Sequence, residues 1–327
     1  MCRFVRVLLV VTSIVAPSLP TVAQQVERPG AGAAPTEVRV AMLLVDLSAI
    51  DGAEQSVTAD LYVVLEWSDV QLADPGGEVR YVALREAWQP PLEMVNQRDL
   101  KTVRPETLEV RPDGTVLYRQ RYSGEFSAPM TLREFPFDRQ RIEFHLVTPG
   151  LSPDEVRIVV DRQHSGRLES LSIPDWKVGE ADVEAVPLSP PGSDRQVAGV
   201  VLRVDAERRV EFYVLKAFVS VAIIVAMGWI VFWIPGQYVP PRVSVSVTAM
   251  LTLIAYRFLL GSVLPPVPYL TRMDWFLLGS TLLVFIGLVG VVADLHLGEA
   301  AAKRLDRIMK VAYPAAFVVL TVAVAAV

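Results

Sequence analysis

The pattern of apolar and polar positions divides the chain into two regions near residue 210. Before this point, apolar and polar residues alternate in short runs separated by Pro, Gly and Asp, a pattern typical of β-strands joined by turns. The runs cover 38–47, 56–66, 107–110, 115–122, 141–148, 156–160, 176–186 and 197–205. Many short strands at this spacing predict a β-sandwich over residues 37–209.

After residue 210 the alternation is replaced by four long apolar runs. They cover 212–234, 243–264, 275–293 and 308–327. Each is close to the about 20 residues that an α-helix needs to cross a bilayer. We therefore predict a transmembrane four-helix bundle over residues 210–327. The fold class expected for the chain is a mixed β and α membrane protein, with the β-sandwich first and the bundle after it.

The first residues predict on which side of the membrane the sandwich lies. Two arginines precede an apolar run that ends in small residues near Ala23, which is the pattern of a cleaved signal peptide. We assign 1–23 to this signal peptide and 24–36 to a flexible lead-in. The sandwich is then extracellular, and the positive-inside tendency agrees with this orientation. The basic residues that fall in the cytoplasmic links are Arg242, Lys303, Arg304 and Arg307.

The second apolar run carries one helical face of hydroxyl and apolar residues, which we call the stripe. Its members follow one another at alternating steps of four and three. They are Ser244, Thr248, Leu251, Ala255, Phe258 and Ser262. Such a face fits a water-filled path lined by several copies of the helix. Small and hydroxylated residues also form packing faces between membrane helices, so the stripe alone leaves both interpretations open.

Composition and motif content exclude several functions. The chain is 52% hydrophobic, too apolar for an ordinary soluble protein, and 20% charged, too polar for a chain lying wholly in the membrane. Its net charge of −5 gives no basis for nucleic-acid binding. The single cysteine, Cys2, lies in the predicted signal peptide, and the histidines have no metal-ligand spacing. We expect no metal, no cofactor and no enzyme activity, because no catalytic motif is present.

Several short motifs occur in an order typical of one family. The N-terminal region contains Asp60-Leu61-Tyr62, Glu66-Trp67-Ser68-Asp69, Trp88-Gln89-Pro90, Pro112-Asp113-Gly114-Thr115-Val116 and Phe135-Pro136-Phe137-Asp138-Arg139-Gln140. The membrane region contains Gly228-Trp229, Phe232-Trp233, Leu264-Pro265 and Pro268-Tyr269. With four spans, this order resembles the prokaryotic pentameric ligand-gated ion channels, which belong to the Cys-loop receptor superfamily but lack its disulfide. The resemblance covers nearly all of residues 37–327.

The resemblance implies a homopentamer in the bacterial inner membrane, with the sandwich on the periplasmic side. The second helix of each subunit would line the pore, with hydroxyl rings at Ser244 and Thr248. Leu251 falls at the leucine ring of the family, with Ala255 and Phe258 outside it. Such an apolar ring can stop ions by dewetting. The implied partners are the other subunits, membrane lipid, permeant inorganic ions, and either a small-molecule agonist or a proton.

The resemblance also implies a contact that couples the sandwich to the pore helix. The matching residues are Asp60, Phe137, Asp138 and Arg208 (or Arg209) in the sandwich, and Pro265, Pro268 and Tyr269 in the loop after the pore helix. Without the family, these charges would be interpreted as solvated surface residues. The family usually has prolines in the first span, where this chain has Leu215 and Ser220, which leaves a kink of that helix open.

Ion selectivity is predicted from the start of the pore helix. Cation channels of the family carry a glutamate there, whereas this chain has Pro240, Pro241 and Arg242, similar to the Pro-Ala-Arg of anion channels. No acidic residue occurs between 217 and 273, and basic or dipolar rings favour anions. The segment 250–256 is more similar to prokaryotic cation channels, and Arg242 has lipid headgroups as an alternative partner. We expect an anion channel, with a cation-selective or weakly selective channel as the alternative.

The agonist is the part of the function about which the sequence says least. Tyr62 matches one position of the aromatic cage that binds amines in the family by cation–π attraction. The position after Met94 is Val95, and the segments 147–152 and 187–199 contain no aromatic residue. A quaternary amine is therefore not expected, and a carboxylate-bearing ligand, a proton or a divalent cation remains. A further alternative is a periplasmic sensor that is anchored in the membrane and conducts no ions.

Overall fold

A computed structural model describes residues 27–32, 34–189, 194–261, 267–294 and 296–326, without the side chain of Phe212. The predicted signal peptide lies outside the described residues. The sandwich contains twelve described strands. They are β1 (Thr36–Asp51), β2 (Ser56–Ser68), β3 (Arg80–Ala83), β4 (Glu93–Met94), β5 (Gln97–Thr102), β6 (Thr107–Val110), β7 (Thr115–Ser127), β8 (Arg139–Val147), β9 (Val156–Val160), β10 (Gly166–Arg167), β11 (Trp176–Ala185) and β12 (Gly199–Arg208).

These strands form two sheets that enclose one apolar core. The larger sheet has the order β10-β1-β2-β7-β6-β3, with β5 also paired to β7 and β9 to β1, and the smaller sheet has the order β11-β12-β8-β4. The alternating apolar residues of both sheets face inward. Phe126 of β7 and Phe144 of β8 meet edge to face between the sheets, with ring centroids 4.8 Å apart. The predicted sandwich is confirmed.

Four strands were not predicted, because their sequences lack a clear alternation. They are β3, β4, β5 and β10. Strand β5 has the sequence QRDLKT, in which only Leu100 is apolar. It becomes a strand because it pairs with β7, with Leu100 opposite Gly124. A Cβ at Gly124 would lie 2.0 Å from the carbonyl oxygen of Asp99, so glycine permits this close pairing.

Four helical segments after the sandwich are long and apolar enough to cross a membrane. The first, Val214–Trp233, follows the short helix α1 (Glu211–Tyr213) and consists of a π segment (Val214–Phe218), α2 (Val219–Ile230) and a 3₁₀ turn (Val231–Trp233). The others are α3 (Val239–Gly261), α4 (Arg272–Asp294) and α5 (Glu299–Ala326). The predicted four-helix region is confirmed, although α5 begins before its apolar run with polar turns.

Tyr313 of α5 is buried between the helices of the bundle. Its side chain is buried, and it packs against Gly228 in α2 and Gly287 in α4. A Cβ at Gly228 would lie 2.9 Å from the Tyr313 hydroxyl, and one at Gly287 would lie 3.0 Å from its ring. The two glycines therefore allow three helices to approach around one aromatic side chain. Helix α3 packs one face on this bundle, and its opposite face is exposed in the subunit.

Candidate functional site

The stripe of α3 faces away from the other helices of its own subunit. Ser244, Thr248, Leu251, Ala255 and Phe258 are all exposed, with Leu251 61% and Phe258 79% exposed. Ser262, the sixth member of the stripe, lies outside the described residues. The opposite face of α3 is buried against the bundle and consists of Arg242, Ser246, Ala249 and Leu253. The stripe is therefore not a packing face within the subunit, which was the alternative interpretation of its small residues.

Two hydroxyl groups of α3 are bonded to the helix itself. Thr248 Oγ1 donates to the carbonyl oxygen of Ser244 at 2.7 Å, and Ser246 Oγ donates to that of Arg242 at 2.9 Å. Such back-bonding satisfies the hydroxyl hydrogen and leaves the oxygen lone pairs free to accept. On the exposed face, the lone pairs of Thr248 can therefore accept hydrogen bonds from water.

The structure corrects the role predicted for Arg242. Its side chain is only 2% exposed, and its Nη2 atom lies 2.9 Å from Asp294 Oδ2 and 2.5 Å from Asp306 Oδ1. The guanidinium thus points into the bundle, where it contacts two carboxylates, and does not reach lipid headgroups. Pro240 and Pro241 remain exposed in the first turn of α3, where the missing N–H groups cost little. The argument for anion selectivity loses its basic residue.

A second buried arginine lies at the other end of the bundle, at the base of the sandwich. Arg208, at the end of β12, binds Asp138 through two hydrogen bonds, Nε to Oδ1 at 2.7 Å and Nη2 to Oδ2 at 3.1 Å. Both side chains are buried. The guanidinium also lies over the ring of Trp176 at 4.1 Å and that of Phe135 at 4.9 Å. Of the two registers considered, Arg208 is therefore the buried one.

The structure also corrects the predicted position of Asp60. This residue pairs with Arg121 on the larger sheet and does not join the Asp138–Arg208 pair. Strand pairing is the reason, because β2 runs beside β7 and sets Asp60 opposite Ser123. Burial raises the pKa of Asp60, but hydrogen bonds from Ser123 and Arg121 outweigh burial and hold this pKa below its ordinary value.

The turn between β7 and β8 contacts the membrane helices directly. Phe137 approaches Phe218 of the first span, with ring centroids 6.2 Å apart. The Leu132 amide donates to the Tyr269 hydroxyl at 2.9 Å, in the segment between α3 and α4. Pro268 is exposed beside this tyrosine, and Pro265 lies outside the described residues.

The chain at the start of α4 is joined to the same turn. The Met273 amide donates to the Phe135 carbonyl at 3.2 Å, and the Arg272 amide donates to the Arg133 carbonyl at 3.0 Å. The guanidinium of Arg133 lies 5.1 Å from the centre of the Tyr269 ring. A displacement of the turn would therefore move both the segment before α4 and the first span.

Comparison with known proteins agrees with this arrangement of a sandwich on four spans. Residues 19–196 match the family model described as neurotransmitter-gated ion-channel ligand binding domain. Residues 221–297 match the model described as neurotransmitter-gated ion-channel transmembrane region. The chain belongs to the neurotransmitter-gated ion-channel family. The resemblance to prokaryotic pentameric ligand-gated channels is thereby confirmed, and with it the expectation that the protein is a channel-family member and not an enzyme.

Two relatives illustrate the breadth of the family. The chain is 22% identical over 299 residues to the proton-gated ion channel of Gloeobacter violaceus, which covers 89% of this chain and 83% of that protein. It is 24% identical over 279 residues to the gamma-aminobutyric acid receptor subunit beta-4 of Gallus gallus, which covers 80% of this chain and 55% of the receptor subunit. The family is membrane-spanning, with an extracellular ligand-binding domain.

In this channel-family member, the surroundings of Tyr62 are cationic. Arg104 lies 6.0 Å from the centre of the Tyr62 ring, and Arg121 stands opposite Tyr62 in the β2–β7 pair. Arg121 is balanced by Asp60, whereas the exposed guanidinium of Arg104 has no acidic partner within ion-pair distance among the described residues. The exposed guanidinium of Arg104 therefore places a positive charge beside the ring that an amine would have to approach. This observation agrees with the expectation that no quaternary amine binds here.

The first span of this family member is interrupted without proline. Residues Val214–Phe218, which include Leu215, form a π segment instead of continuing as an α-helix. In a π segment the backbone hydrogen bonds join residues five apart instead of four. Within this segment, the carbonyl oxygen of Lys216 accepts a hydrogen bond from the Tyr256 hydroxyl of α3. The first span therefore contains a π irregularity, which is bonded to α3. Leu215, where the family usually has a proline, lies inside it.

Several residues of these sites were missed from sequence. Asp294, Asp306, Trp176 and Tyr213 had no predicted role. Tyr213 lies 6.0 Å from the Arg208 guanidinium and 4.9 Å from the Phe135 ring. An acid near a membrane end is one signal that was present, because such residues are rare unless they are paired.

Proposed function

We propose that five copies of this chain form a ligand-gated ion channel in the bacterial inner membrane, with α3 of each subunit lining the ion path. The observation that carries the proposal is the exposure of the stripe on a helix whose opposite face is buried. A membrane helix that packs its buried face on its own bundle presents the other face to lipid or to an axis of symmetry. Hydroxyl groups on that face favour the aqueous axis, because lipid offers no donor to their remaining oxygen lone pairs.

In this proposal the gate is the ring of Leu251. Five leucine side chains meeting at the axis would exclude water, and an ion cannot shed its hydration shell there without a large free-energy cost. The rings of Ser244 and Thr248 would solvate ions on the cytoplasmic side. Opening then consists of moving the α3 helices apart at Leu251.

The signal for opening would pass through the turn between β7 and β8. The Arg208–Asp138 pair fixes that turn to the end of β12, so a shift of the smaller sheet shifts the turn. Its contacts with Tyr269 and Phe218 then reach the segment after α3 and the first span. The Tyr256 hydroxyl adds a direct link from the first span to α3.

The ligand proposed for the outer domain is a small molecule with a carboxylate. Arg104 offers an exposed guanidinium beside Tyr62, and a guanidinium binds a carboxylate through two parallel hydrogen bonds. A proton is the second candidate, and it is favoured by the relative from Gloeobacter violaceus, which is named a proton-gated ion channel. A pH screen therefore accompanies the ligand screen.

For selectivity we propose a weak preference for anions. Residues 239–261 contain no acid, and the positive end of the α3 dipole lies at the start of the pore helix. Because Arg242 is buried against two carboxylates, no full positive charge adds to this dipole. The preference should therefore be smaller than that of a channel with an exposed basic ring.

Recording from the purified protein in planar bilayers tests this function. Amino acids and small carboxylates are applied to the outer side, and the outer pH is varied separately. We expect agonist-dependent or pH-dependent current, with a reversal potential nearer to the chloride potential in a salt gradient. A reversal nearer to the potassium potential favours the cation channel instead. Intact protein that passes no current under all these conditions would identify the non-conducting sensor.

A further inference from the structure

The inner end of α3 is fastened to two other helices by one cluster of charges, which we call the inner triad. It consists of Arg242 at the start of α3, Asp294 at the end of α4 and Asp306 in α5. Arg242 Nη2 lies 2.9 Å from Asp294 Oδ2 and 2.5 Å from Asp306 Oδ1. The side chains of Arg242, Asp294 and Asp306 are 2%, 6% and 16% exposed, so the cluster is largely buried. One guanidinium thus joins the pore helix to both helices behind it.

The charges of the inner triad do not balance. With both acids ionised, two carboxylates share one guanidinium, so the buried cluster carries a formal charge of −1. A buried charge without a partner is strongly unfavourable, and two adjacent carboxylates disfavour each other's ionised form. Neither oxygen of Asp294 accepts a hydrogen bond among the described residues, although its side chain is buried. A buried carboxylate whose oxygens accept no hydrogen bond is suited to bind a proton.

No other described cation supplies the missing positive charge. Among the residues that the structure describes, Arg242 is the only base within ion-pair distance of either carboxylate. The basic groups of α5 are engaged elsewhere or exposed, since Lys303 pairs with Glu299 and Lys310 lies over the ring of Trp233. The remaining charged or titratable side chains nearby are exposed, namely Tyr238, His296, Arg304 and Arg307. Gly236 lies beside Arg242 Nη1 and adds no charge.

We propose that the inner triad is a binding site for one proton, which Asp294 and Asp306 share. The proton is taken from the cytoplasmic solution, because the triad lies at the start of α3 and the end of α4. When the proton is bound the cluster is neutral, and α3, α4 and α5 are held together at their inner ends. When it leaves, the two carboxylates repel each other, and the inner end of α3 is released from α4 and α5.

The proposal is separate from the ligand site and from the direction of ion selectivity. It rests on the proposed function only for its effect on gating, because α3 is there the pore-lining helix. A test that measures the proton itself therefore distinguishes the two. If the protein carries no current, the proposed function fails while the proton site can still be found.

Infrared difference spectroscopy of the full chain in lipid nanodiscs measures this proton. Spectra are recorded from about pH 6 to about pH 9 for the wild type, Asp306→Asn, Asp294→Asn and Glu299→Gln. We expect a protonated-carboxyl band in the wild type that disappears at high pH and is lost in both asparagine variants. Glu299→Gln, an exposed change at the start of the same helix, should keep the band. Absence of the band from the wild type, or its persistence in both asparagine variants, would overturn the proposal.

Thermal unfolding over the same pH range provides a second readout. A site that binds its proton only in the folded state stabilises that state at low pH, and the stabilisation is lost as pH rises. We expect the unfolding midpoint of the wild type to fall with rising pH. In Asp306→Asn, Arg242 and Asp294 pair one to one, so the fall should be reduced or abolished while Glu299→Gln behaves as the wild type. An equal fall in Asp306→Asn and the wild type would contradict a proton shared by the two acids.

Discussion

Two arginines are buried at opposite ends of the membrane bundle, and they differ in the number of acids that surround them. Arg208 binds one carboxylate, Asp138, in a two-bonded geometry and is covered by aromatic rings. Arg242 contacts two carboxylates through one nitrogen. The first pair is neutral as it stands, whereas the second cluster needs a proton to become so. The number of carboxylates per guanidinium therefore distinguishes the two clusters. The Arg208–Asp138 pair keeps a constant charge, whereas the charge of the inner triad changes when the proton binds.

This difference predicts opposite responses to the same chemical change. Removing the acid beside Arg208 leaves a buried cation without a partner. Removing one acid beside Arg242 leaves a balanced pair. Variants at the two arginine sites, at the proposed gate residue Leu251 and at the partly exposed Asp60–Arg121 pair test this difference.

The largest effect is expected for Asp138→Asn. The buried Arg208 guanidinium would lose its counter-charge, and breaking a buried pair from one side costs about 3–5 kcal/mol. The thermal unfolding midpoint of the purified protein measures this loss. Asp205→Asn is the matched control, because Asp205 lies in the same sheet but pairs with Arg141 at the exposed surface. Equal losses of stability in the two variants would contradict a strongly stabilising role for the buried Arg208–Asp138 ion pair.

A smaller effect, on gating rather than stability, is expected for Leu251→Thr. The change replaces an apolar ring by a hydroxyl ring, which lowers the cost of wetting the gate by on the order of 1–2 kcal/mol. Agonist should then act at about tenfold lower concentration, or a resting leak should appear, in current recordings. Leu259→Thr, on an exposed face outside the stripe, is the control. A normal dose response of well-expressed Leu251→Thr would argue against this gate.

Asp60→Asn is expected to have an effect below about 1 kcal/mol, because its pair with Arg121 is partly exposed. Since the pKa of Asp60 is lowered in the fold, this contribution is present above its ordinary pKa and is lost as pH falls. Unfolding midpoints measured from about pH 7 to about pH 3 check the sign. The effects of Asp60→Asn and Asp138→Asn should add, as expected for separate sites. A strong coupling would restore Asp60 to the Arg208 cluster.

The smallest change is expected for Asp306→Asn at neutral pH. With the shared proton bound, the acid and its amide analogue leave the cluster equally neutral, so stability should change by less than about 1 kcal/mol. The thermal unfolding midpoint measures this change in the same experiment as the large loss of stability expected for Asp138→Asn. A loss as large as that of Asp138→Asn would remove the distinction between the two ends.

The sequence predicted what depends on local pattern. Period-two alternation located the long strands, and apolar length located the four spans, because both signals lie within a few neighbouring residues. The stripe was found from helical spacing alone, although its pore role stays a prediction.

What the sequence did not reveal depends on pairing between distant segments. Asp60 was placed in the wrong cluster because its partner, Arg121, is set by the register of β2 and β7. Arg242 was interpreted as a free charge because its partners Asp294 and Asp306 come from two later helices. The strand β5 exists only through its neighbour β7.

Cysteine accessibility along α3 tests the ion path most directly. The chain has a single cysteine, Cys2, so single cysteines can be placed in a Cys2→Ser background at Ser244, Thr248 and Leu251 and, as controls, at the buried Ala249 and Leu253. A water-soluble charged thiol reagent is applied while current is recorded. The account predicts block at the three stripe positions and none at the two controls. Unchanged current at all three stripe positions, or equal block at the buried positions, would contradict a pore lined by this face.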